Sequence, residues 1–152
     1  LVVDATSDRI WATEHGPRGG DELNLIVAGG NYGWPVVSLG RDYSTEGPIG
    51  EARSRSGMID PVYEITPTHA PSGLALVTHP LFGKWQGNLL AGGLRGQSVR
   101  RLVIENEAVV HEEELLSDKI GRIRDVREGP DGRIYLLSDE PDGALYRLEP
   151  AD

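Results

Sequence analysis

Residues 123–138 read IRDVREGPDGRIYLLS, and this stretch decides the fold. A β-like run over 123–128 enters the turn Gly129-Pro130-Asp131-Gly132, and a short apolar run follows the turn. Glycine and proline in such a cluster reverse the chain, so the two runs predict an antiparallel hairpin. A second turn, Glu140-Pro141-Asp142-Gly143, leads into a further run at 144–148. The stretch therefore predicts an antiparallel unit of four strands or nearly four.

Short β-like runs separated by turn signals also fill the rest of the chain. They cover residues 1–3, 9–13, 22–27 and 61–65 in the first half, and 72–78, 88–94 and 98–104 in the second. Residues 108–116 fit either another strand or a short helix. Repeated antiparallel units with evenly spaced turns are typical of a β-propeller or a β-sandwich. We therefore expect an all-β fold, with antiparallel four-stranded blades if it is a propeller.

Chain length limits how much of a propeller is present. A blade takes about 40–50 residues and a ring needs about 4–8 blades, so this chain supplies roughly three. Three blades cannot close a ring, and open flanks leave sheet edges unpaired. We expect residues 1–152 to form a single partial domain, completed by the remainder of a longer chain or by another copy in a homo-oligomer. The polar segment near 38–60 is predicted to be a long loop. The strand-like start at Leu1-Val2-Val3 is expected of a processed or truncated N-terminus.

The composition argues against several classes of function. The formal net charge is −9, whereas binding to phosphates needs clustered Lys and Arg. No nucleic-acid partner is therefore expected, and an acidic surface also disfavours anionic membranes. The sequence contains no cysteine, which excludes disulfides, thiolate metal sites and cysteine nucleophiles. Since no apolar stretch approaches the length of about 18 residues that a transmembrane helix needs, no membrane insertion is expected.

Five groups of residues carry a resemblance to a known family. In chain order they are 14–24 (EHGPRGGDELN), 29–35 (GGNYGWP), 70–73 (APSG), 122–126 (RIRDV) and 129–132 (GPDG). Their order and spacing resemble the C-terminal part of the soluble quinoprotein glucose dehydrogenase and aldose sugar dehydrogenase (glucose/sorbosone dehydrogenase) family along nearly the whole chain. Any one of these motifs alone would carry no information.

The resemblance implies a six-bladed β-propeller, of which this chain would be about half. Family members hold pyrroloquinoline quinone (PQQ) at the mouth of the central channel. With Ca²⁺ they oxidise aldose sugars to lactones and pass the electrons to an acceptor. Their general base is a His from the N-terminal half, and its motif is absent from this chain. By the same analogy, the protein is expected in the periplasm or outside the cell.

Two readings of function follow. The first is a PQQ- and calcium-dependent aldose dehydrogenase, or the cofactor-binding half of one. The alternative is a non-catalytic propeller module that binds a sugar or a protein partner. An unrelated acidic β-sandwich is disfavoured by the series of motifs.

Cofactor binding is predicted for two arginines of one strand and for two further residues. A quinone with three carboxylates requires concentrated positive charge and hydrogen-bond donors. Arg122 and Arg124 are two residues apart, which on a strand places both side chains on one face. The resemblance implies that both contact the cofactor. It also implies a basic contact from Arg95 and a hydroxyl donor at Thr68.

Two metal sites are implied by the resemblance. The family uses the carbonyls that match Gly16 and Pro17 to hold its catalytic Ca²⁺, and backbone carbonyls in a fixed turn are suitable calcium ligands. Asp21 and Glu22, with the carbonyl of Tyr32, match a second, structural calcium site. Adjacent carboxylates point to opposite faces of a regular strand, so sharing one ion would require a bend. A tight turn without metal and a solvent-facing acidic turn are the alternatives.

The sugar is predicted to meet Tyr63, where the family has an aromatic residue. Aromatic rings suit the C–H surfaces of sugars, although a packing role fits Tyr63 equally well. Thr66 stands where glucose-preferring members carry Trp, which favours broad aldose specificity. His15 is a weak candidate for a catalytic base, because other members carry Gln there. His69, His79 and His111 are expected to be surface or packing residues.

Overall fold

The regular structure of the protein is nearly all antiparallel β-strand. The computed structural model describes residues 1–151. The strands are β1 (Val2–Asp4), β2 (Arg9–Glu14), β3 (Asp21–Ile26), β4 (Tyr63–Ile65), β5 (Pro71–Leu76), β6 (Leu89–Gly93), β7 (Val99–Glu105), β8 (Ala108–Leu115), β9 (Ile123–Glu128), β10 (Ile134–Ser138) and β11 (Leu145–Leu148). A 3₁₀ segment, Pro80–Trp85, lies between β5 and β6. None of the described helical segments has the length and apolar character needed to cross a membrane.

The strands form three consecutive sheets. Sheet 1 has the order β1-β2-β3-β4, sheet 2 the order β5-β6-β7-β8, and sheet 3 the order β11-β10-β9. The predicted all-β, antiparallel fold is confirmed. Residues 108–115 form a strand rather than a helix, and β8 pairs with β7 from Glu105↔Ala108 to Val99↔Leu115. Sheet 3 has three strands in the described part of the chain, one fewer than a complete blade.

Sheet 2 lies between the other two sheets, and its strands β5 and β6 are buried on both faces. On β5, Ala75 packs in the core shared with sheet 3, whereas Leu74 and Leu76 pack in the core shared with sheet 1. Successive side chains of a strand point to opposite faces, so an unbroken apolar run fits a strand covered on both sides. The core towards sheet 3 contains Val77, Leu90, Val99, Ile123, Val126, Ile134 and Leu136, and the core towards sheet 1 contains Trp11, Leu23, Leu89, Ala91 and Leu102.

The beginnings of β5 and β9 lie side by side. The Ser72 hydroxyl donates to the Ile123 carbonyl at 2.6 Å, and it also lies 3.0 Å from the Gly92 carbonyl. A Cβ on Gly73 would stand 2.2 Å from the backbone nitrogen of Val126, which leaves room for glycine alone at this crossing. The close approach places the loops before both strands at the same end of the molecule.

A long connection between β3 and β4 covers the turn that follows β2. Residues 27–62 contain two isolated bridges, Val37↔Ala52 and Arg41↔Pro48, and no named strand. The Arg41 N–H donates to the Pro17 carbonyl at 2.6 Å. A Cβ on Gly40 would lie 2.6 Å from the Pro17 ring. The connection is therefore packed against the Gly16-Pro17 turn.

Candidate functional site

A cleft of about 460 Å³ opens where three loops meet. The loops lie at 15–20 between β2 and β3, at 66–70 between β4 and β5, and at 94–98 between β6 and β7. The lining residues are His15, Gly16, Arg18, Tyr43, Thr68, Ala70 and Arg95. The volume falls within the range of about 300–1,000 Å³ that is typical of small-molecule sites. The structure thus brings together four residues that the sequence singled out: His15, Gly16, Thr68 and Arg95.

A second cavity of about 450 Å³ adjoins the first and shares Thr68 and Arg95 with it. Its other lining residues are Pro67, Gly96, Arg100 and Glu114. Arg100 is paired with Glu112 and lies 3.5 Å from Glu114. The neighbouring side chains of Ser117 and Ser98 hold the pKa of Glu114 below its usual value. Arg95 and Thr68 therefore stand on the ridge between two polar cavities.

The Gly16-Pro17 turn is fixed by backbone contacts on several sides. The Gly16 N–H donates to Asp21 Oδ1 at 2.9 Å, and the Gly19 N–H donates to the Gly16 carbonyl at 3.4 Å. A Cβ on Gly16 would lie 2.0 Å from the Gly19 carbonyl oxygen, so only glycine fits. The Pro17 carbonyl accepts from Arg41, but a carbonyl oxygen has a second lone pair that can face a cation. This rigid, oxygen-bearing turn is chemically suited to a Ca²⁺ ligand role.

Arg122 and Arg124 direct their guanidinium groups to one carboxylate. Nη2 of Arg122 lies 2.8 Å and Nη2 of Arg124 lies 2.9 Å from Asp139 Oδ2. Hydrogen bonds from Arg122 and then Arg124 hold the pKa of Asp139 below its usual value. Asp125 faces elsewhere and pairs with Arg127 at 3.0 Å. Both guanidinium groups thus meet at Asp139, although Arg122 precedes β9 and the register between β9 and β10 shifts beside Arg124.

Neither Arg122 nor Arg124 lines the 460 Å³ cleft, yet a short chain of contacts joins them to it. The His15 ring Nε2 is hydrogen-bonded to the carbonyl of Pro71, the first residue of β5. The next residue, Ser72, donates to the carbonyl of Ile123, which lies between the two arginines. The paired arginines and the cleft therefore lie at the same end of the neighbouring strands β5 and β9.

The two acidic residues Asp21 and Glu22 have separate partners. Asp21 is fully buried and accepts three backbone N–H groups, from Gly16, His69 and Ala70. Both residues belong to the continuous strand β3, without the bend that sharing one ion would require. The structure therefore does not bring the two carboxylates together.

Glu22 faces other carboxylates across the sheet. In the strand register it lies opposite Glu14 on one side and Glu64 on the other. Burial, followed by the charges of Glu14, Glu64 and Asp60, raises the pKa of Glu22. Within residues 1–151 no group of three or more His, Asp or Glu side chains is arranged to hold a metal ion.

Tyr32 and Tyr63 are both held by their hydroxyl groups. The Tyr32 hydroxyl donates to the Leu25 carbonyl at 2.9 Å and accepts the Val27 N–H at 2.8 Å, so the ring closes the end of β3. The Tyr63 hydroxyl donates to Glu112 Oε2 at 2.5 Å, and its ring packs against the core between sheets 1 and 2. Tyr63 is not among the residues that line either polar cavity. Its predicted contact with a sugar stays a prediction.

Several residues of the site carried no signal in the sequence. Asp139 follows β10 and pairs with both arginines from 15 and 17 residues away. Arg18 lines the cleft and pairs with Glu46 at 2.9 Å, and Tyr43 enters from the long connection. His69 is a fully buried packing residue, one of the two roles expected of it. Only the folded arrangement of distant loops identifies these partners.

The comparison with known families gives one result for nearly the whole chain. The family model for Glucose / Sorbosone dehydrogenase matches residues 1–147. A protein of Synechocystis sp. described as uncharacterized is 49% identical over 150 residues, which are 98% of this chain and 36% of that protein. The aldose sugar dehydrogenase YliI of Escherichia coli is 37% identical over 152 residues, 99% of this chain and 41% of that enzyme.

Solved structures of glucose and aldose sugar dehydrogenases also match this chain. A crystal structure of glucose dehydrogenase superposes with a TM-score of 0.92 at 41% identity, covering 98% of this chain and 43% of that one. A PQQ-bound form of aldose sugar dehydrogenase from Streptomyces coelicolor gives a TM-score of 0.71 at 27% identity, covering 97% of this chain and 41% of that one. The chain thus spans about two fifths of the length of the proteins it resembles. The three sheets are blades of a β-propeller, about half of one, and the chain belongs to the glucose/sorbosone dehydrogenase family.

Proposed function

We propose that this chain is the cofactor-binding half of a PQQ- and calcium-dependent aldose dehydrogenase, which oxidises aldose sugars to lactones. The observation that carries the proposal is the cleft in which Gly16, Thr68 and Arg95 converge from three separate loops. Two matches add support: quinoprotein glucose dehydrogenase B of Acinetobacter calcoaceticus, 53% identical over 36 residues or 24% of this chain, and the PQQ-bound aldose sugar dehydrogenase. The alternative of a non-catalytic module has no support among the relatives.

The donors at this end of the propeller suit a polyanion. Arg95, the Thr68 hydroxyl, Arg122 and Arg124 are the groups that would hold its carboxylate and carbonyl oxygens. When bound, PQQ supplies a quinone ring that accepts two electrons and stores them until the acceptor arrives. Asp139 keeps both guanidinium groups oriented together until an anion competes for them.

The Gly16 and Pro17 carbonyls would hold the catalytic Ca²⁺, because the turn that carries them is fixed by Asp21 and Arg41. The second calcium would be bound by the Glu22 carboxylate and the Tyr32 carbonyl. A divalent ion there would offset the repulsion between the carboxylates of Glu14, Glu22 and Glu64. By family analogy, the protein acts in the periplasm or outside the cell.

Quinone titration tests the proposal. PQQ is added to the purified chain in the presence of Ca²⁺, and binding is followed by fluorescence quenching. We expect saturable binding that is abolished by a calcium chelator. Arg124→Gln should weaken the affinity about tenfold through the loss of a charge-assisted contact.

Arg127→Gln is the matched control, since Arg127 lies on the same strand, pairs with an aspartate and is similarly exposed. It should bind PQQ like the unmodified chain. Equal losses in both variants, or no uptake of PQQ by the unmodified chain, would contradict the proposal. With an aldose and a dye acceptor, turnover by this chain alone should be absent or low, because the family's base is not in it. Strong turnover would instead assign the base to a residue of this chain such as His15.

A further inference from the structure

We propose that Asp21 is a positioning residue. Its buried carboxylate holds the three loops of the cleft, 15–20, 66–70 and 94–98, in one fixed arrangement, which we call the rigid wall. The identity of the cleft's ligand rests on the proposed function, whereas the tie between the loops is a property of this chain alone. One path of contacts joins the loops, from Asp21 to Gly16 on one side and through His69 to Arg95 on the other.

The first step is a carboxylate shared by two loops. Oδ1 of Asp21 accepts the Gly16 N–H at 2.9 Å, and Oδ2 accepts the N–H groups of His69 at 2.6 Å and Ala70 at 2.8 Å. The residue is fully buried. Hydrogen bonds from backbone N–H groups to a carboxylate are short and strong. Asp21 therefore holds the loops 15–20 and 66–70 at a fixed separation.

The second step carries the constraint to the third loop. The His69 carbonyl accepts the N–H groups of Arg95 at 3.2 Å and Gly96 at 3.0 Å. The His69 ring fills the space beside two glycines, because a Cβ on Gly93 or on Gly96 would come within 2.2 Å of a ring atom. Asp21 thus fixes the backbone of His69, and His69 fixes the backbone that bears Arg95.

The imidazole of His69 supports this arrangement as a neutral ring. Its Nε2 lies 3.1 Å from the Ala91 carbonyl, which can only accept, so Nε2 carries the proton. Nδ1 has no hydrogen-bond partner within residues 1–151. Burial lowers the pKa of His69, so the ring stays uncharged at neutral pH. It acts as a packed spacer under the 94–98 loop.

The backbone at Ala70 shows how tightly the loop is held. Ala70 has φ of +51°, a conformation that residues other than glycine rarely adopt. This kink lets the N–H groups of two consecutive residues, His69 and Ala70, converge on one oxygen. Such strained positions persist where the surroundings over-determine them, and here the carboxylate of Asp21 does so.

These contacts give Asp21 a role different from the metal ligand that the resemblance implied. Three N–H groups occupy most of the acceptor sites of this fully buried carboxylate, which leaves about one lone-pair site for a cation. Glu22 points away towards Glu14 and Glu64. A second metal site would therefore depend on Glu22 without Asp21.

Amide hydrogen exchange tests the tie without any cofactor. In the unmodified chain, the amides of Gly16, His69, Ala70, Arg95 and Gly96 should be protected to a similar degree, although none belongs to a strand. Asp21→Asn should speed exchange at all five about tenfold or more, including the two that do not touch Asp21. Amides of sheet 3 should stay unchanged. Asp4→Asn is the matched control, because Asp4 accepts the Thr6 N–H in a turn remote from the cleft.

Three outcomes would overturn the proposal. Acceleration confined to Gly16, His69 and Ala70 would show that the constraint does not reach Arg95. Equal acceleration in all three sheets would show a general loss of stability. Should Asp21→Asn fail to fold, the unmodified chain decides, since clearly unequal protection of the five amides would contradict a single rigid wall.

Titration with PQQ and Ca²⁺ then separates this inference from the proposed function. We expect Asp21→Asn to bind PQQ about tenfold or more weakly, with the affinity of Asp4→Asn unchanged. Unweakened binding by Asp21→Asn would refute a positioning role and leave the function standing. An unmodified chain that takes up no PQQ would refute the function, and the exchange data alone would then decide the role of Asp21.

Discussion

At the scale of single residues, Tyr63 illustrates how one side chain can fit two roles. The resemblance implies a contact between its ring and the sugar, whereas the structure shows its hydroxyl bonded to Glu112 across two sheets. That hydrogen bond, together with burial, raises the pKa of Tyr63 to about 12. Phenylalanine would keep the ring and lose only the hydroxyl, so it separates the two roles.

We predict that Tyr63→Phe lowers the free energy of unfolding by about 0.5–1 kcal/mol at neutral pH, a modest loss because the hydroxyl is partly exposed. A pKa raised in the folded state means that the phenol stabilises the fold below its ordinary pKa of 10.0 and loses this effect as pH rises towards about 12. Urea unfolding at pH 7 and at increasing alkaline pH measures the difference.

Absorbance titration of the phenols provides the check on Tyr63. Of the five tyrosines, the one that titrates latest should be missing in Tyr63→Phe. Equal stability of the two proteins at neutral pH would show that the bond to Glu112 contributes nothing.

At the scale of elements, the crossing of β5 and β9 is the contact that aligns the cleft with the paired arginines. A Cβ on Gly73 would stand 2.2 Å from the Val126 nitrogen and 2.3 Å from Asp125 Oδ1. We predict that Gly73→Ala forces the two strands apart and lowers the free energy of unfolding by about 1–3 kcal/mol. Urea unfolding followed by tryptophan fluorescence measures the loss.

Gly47→Ala is the control for that substitution. Gly47 lies in the long connection, and its nearest neighbour to an added Cβ is the Thr45 hydroxyl at 3.5 Å, an ordinary contact. The Gly47→Ala variant should have the same free energy of unfolding as the unmodified chain. If Gly73→Ala were equally stable, the close approach of β5 and β9 would not be required.

The elements also show what the sequence can and cannot predict. Strand periodicity and the Gly129–Gly132 turn predict the β9–β10 hairpin locally, and the two strands do pair, from Ile134↔Glu128 to Ser138↔Ile123 with one shift of register. The partners of Asp21 could not be predicted in this way, because His69 lies 48 residues away and contributes only its backbone. Local patterns determine strands and faces, whereas contacts between loops depend on how whole sheets pack.

At the scale of the whole molecule, the outer faces of sheets 1 and 3 remain uncovered. Strands β5 and β6 of sheet 2 are buried on both faces, but Leu137 and Leu145, which pair across β10 and β11, are 43% and 68% exposed. On β1 of sheet 1, Val3 is 54% exposed, and the preceding Leu1 is 72% exposed. The chain spans 43% of the glucose dehydrogenase structure it matches. Both flanks are therefore expected to pack against further blades, from the same chain or from another copy.

We predict that the purified chain associates with itself through these flanks in a concentration-dependent way. Replacing Leu137 and Leu145 together by Glu places two charges on an apolar face and should weaken association about tenfold or more, as measured by sedimentation equilibrium. Val110→Glu is the control, because Val110 is 53% exposed on β8, the edge strand of the central sheet. Because both leucines are exposed, their replacement should change the free energy of unfolding of the monomeric chain only slightly. A chain that stays monomeric at every concentration would show that the open flanks tolerate water, and that ring completion by a second copy does not occur.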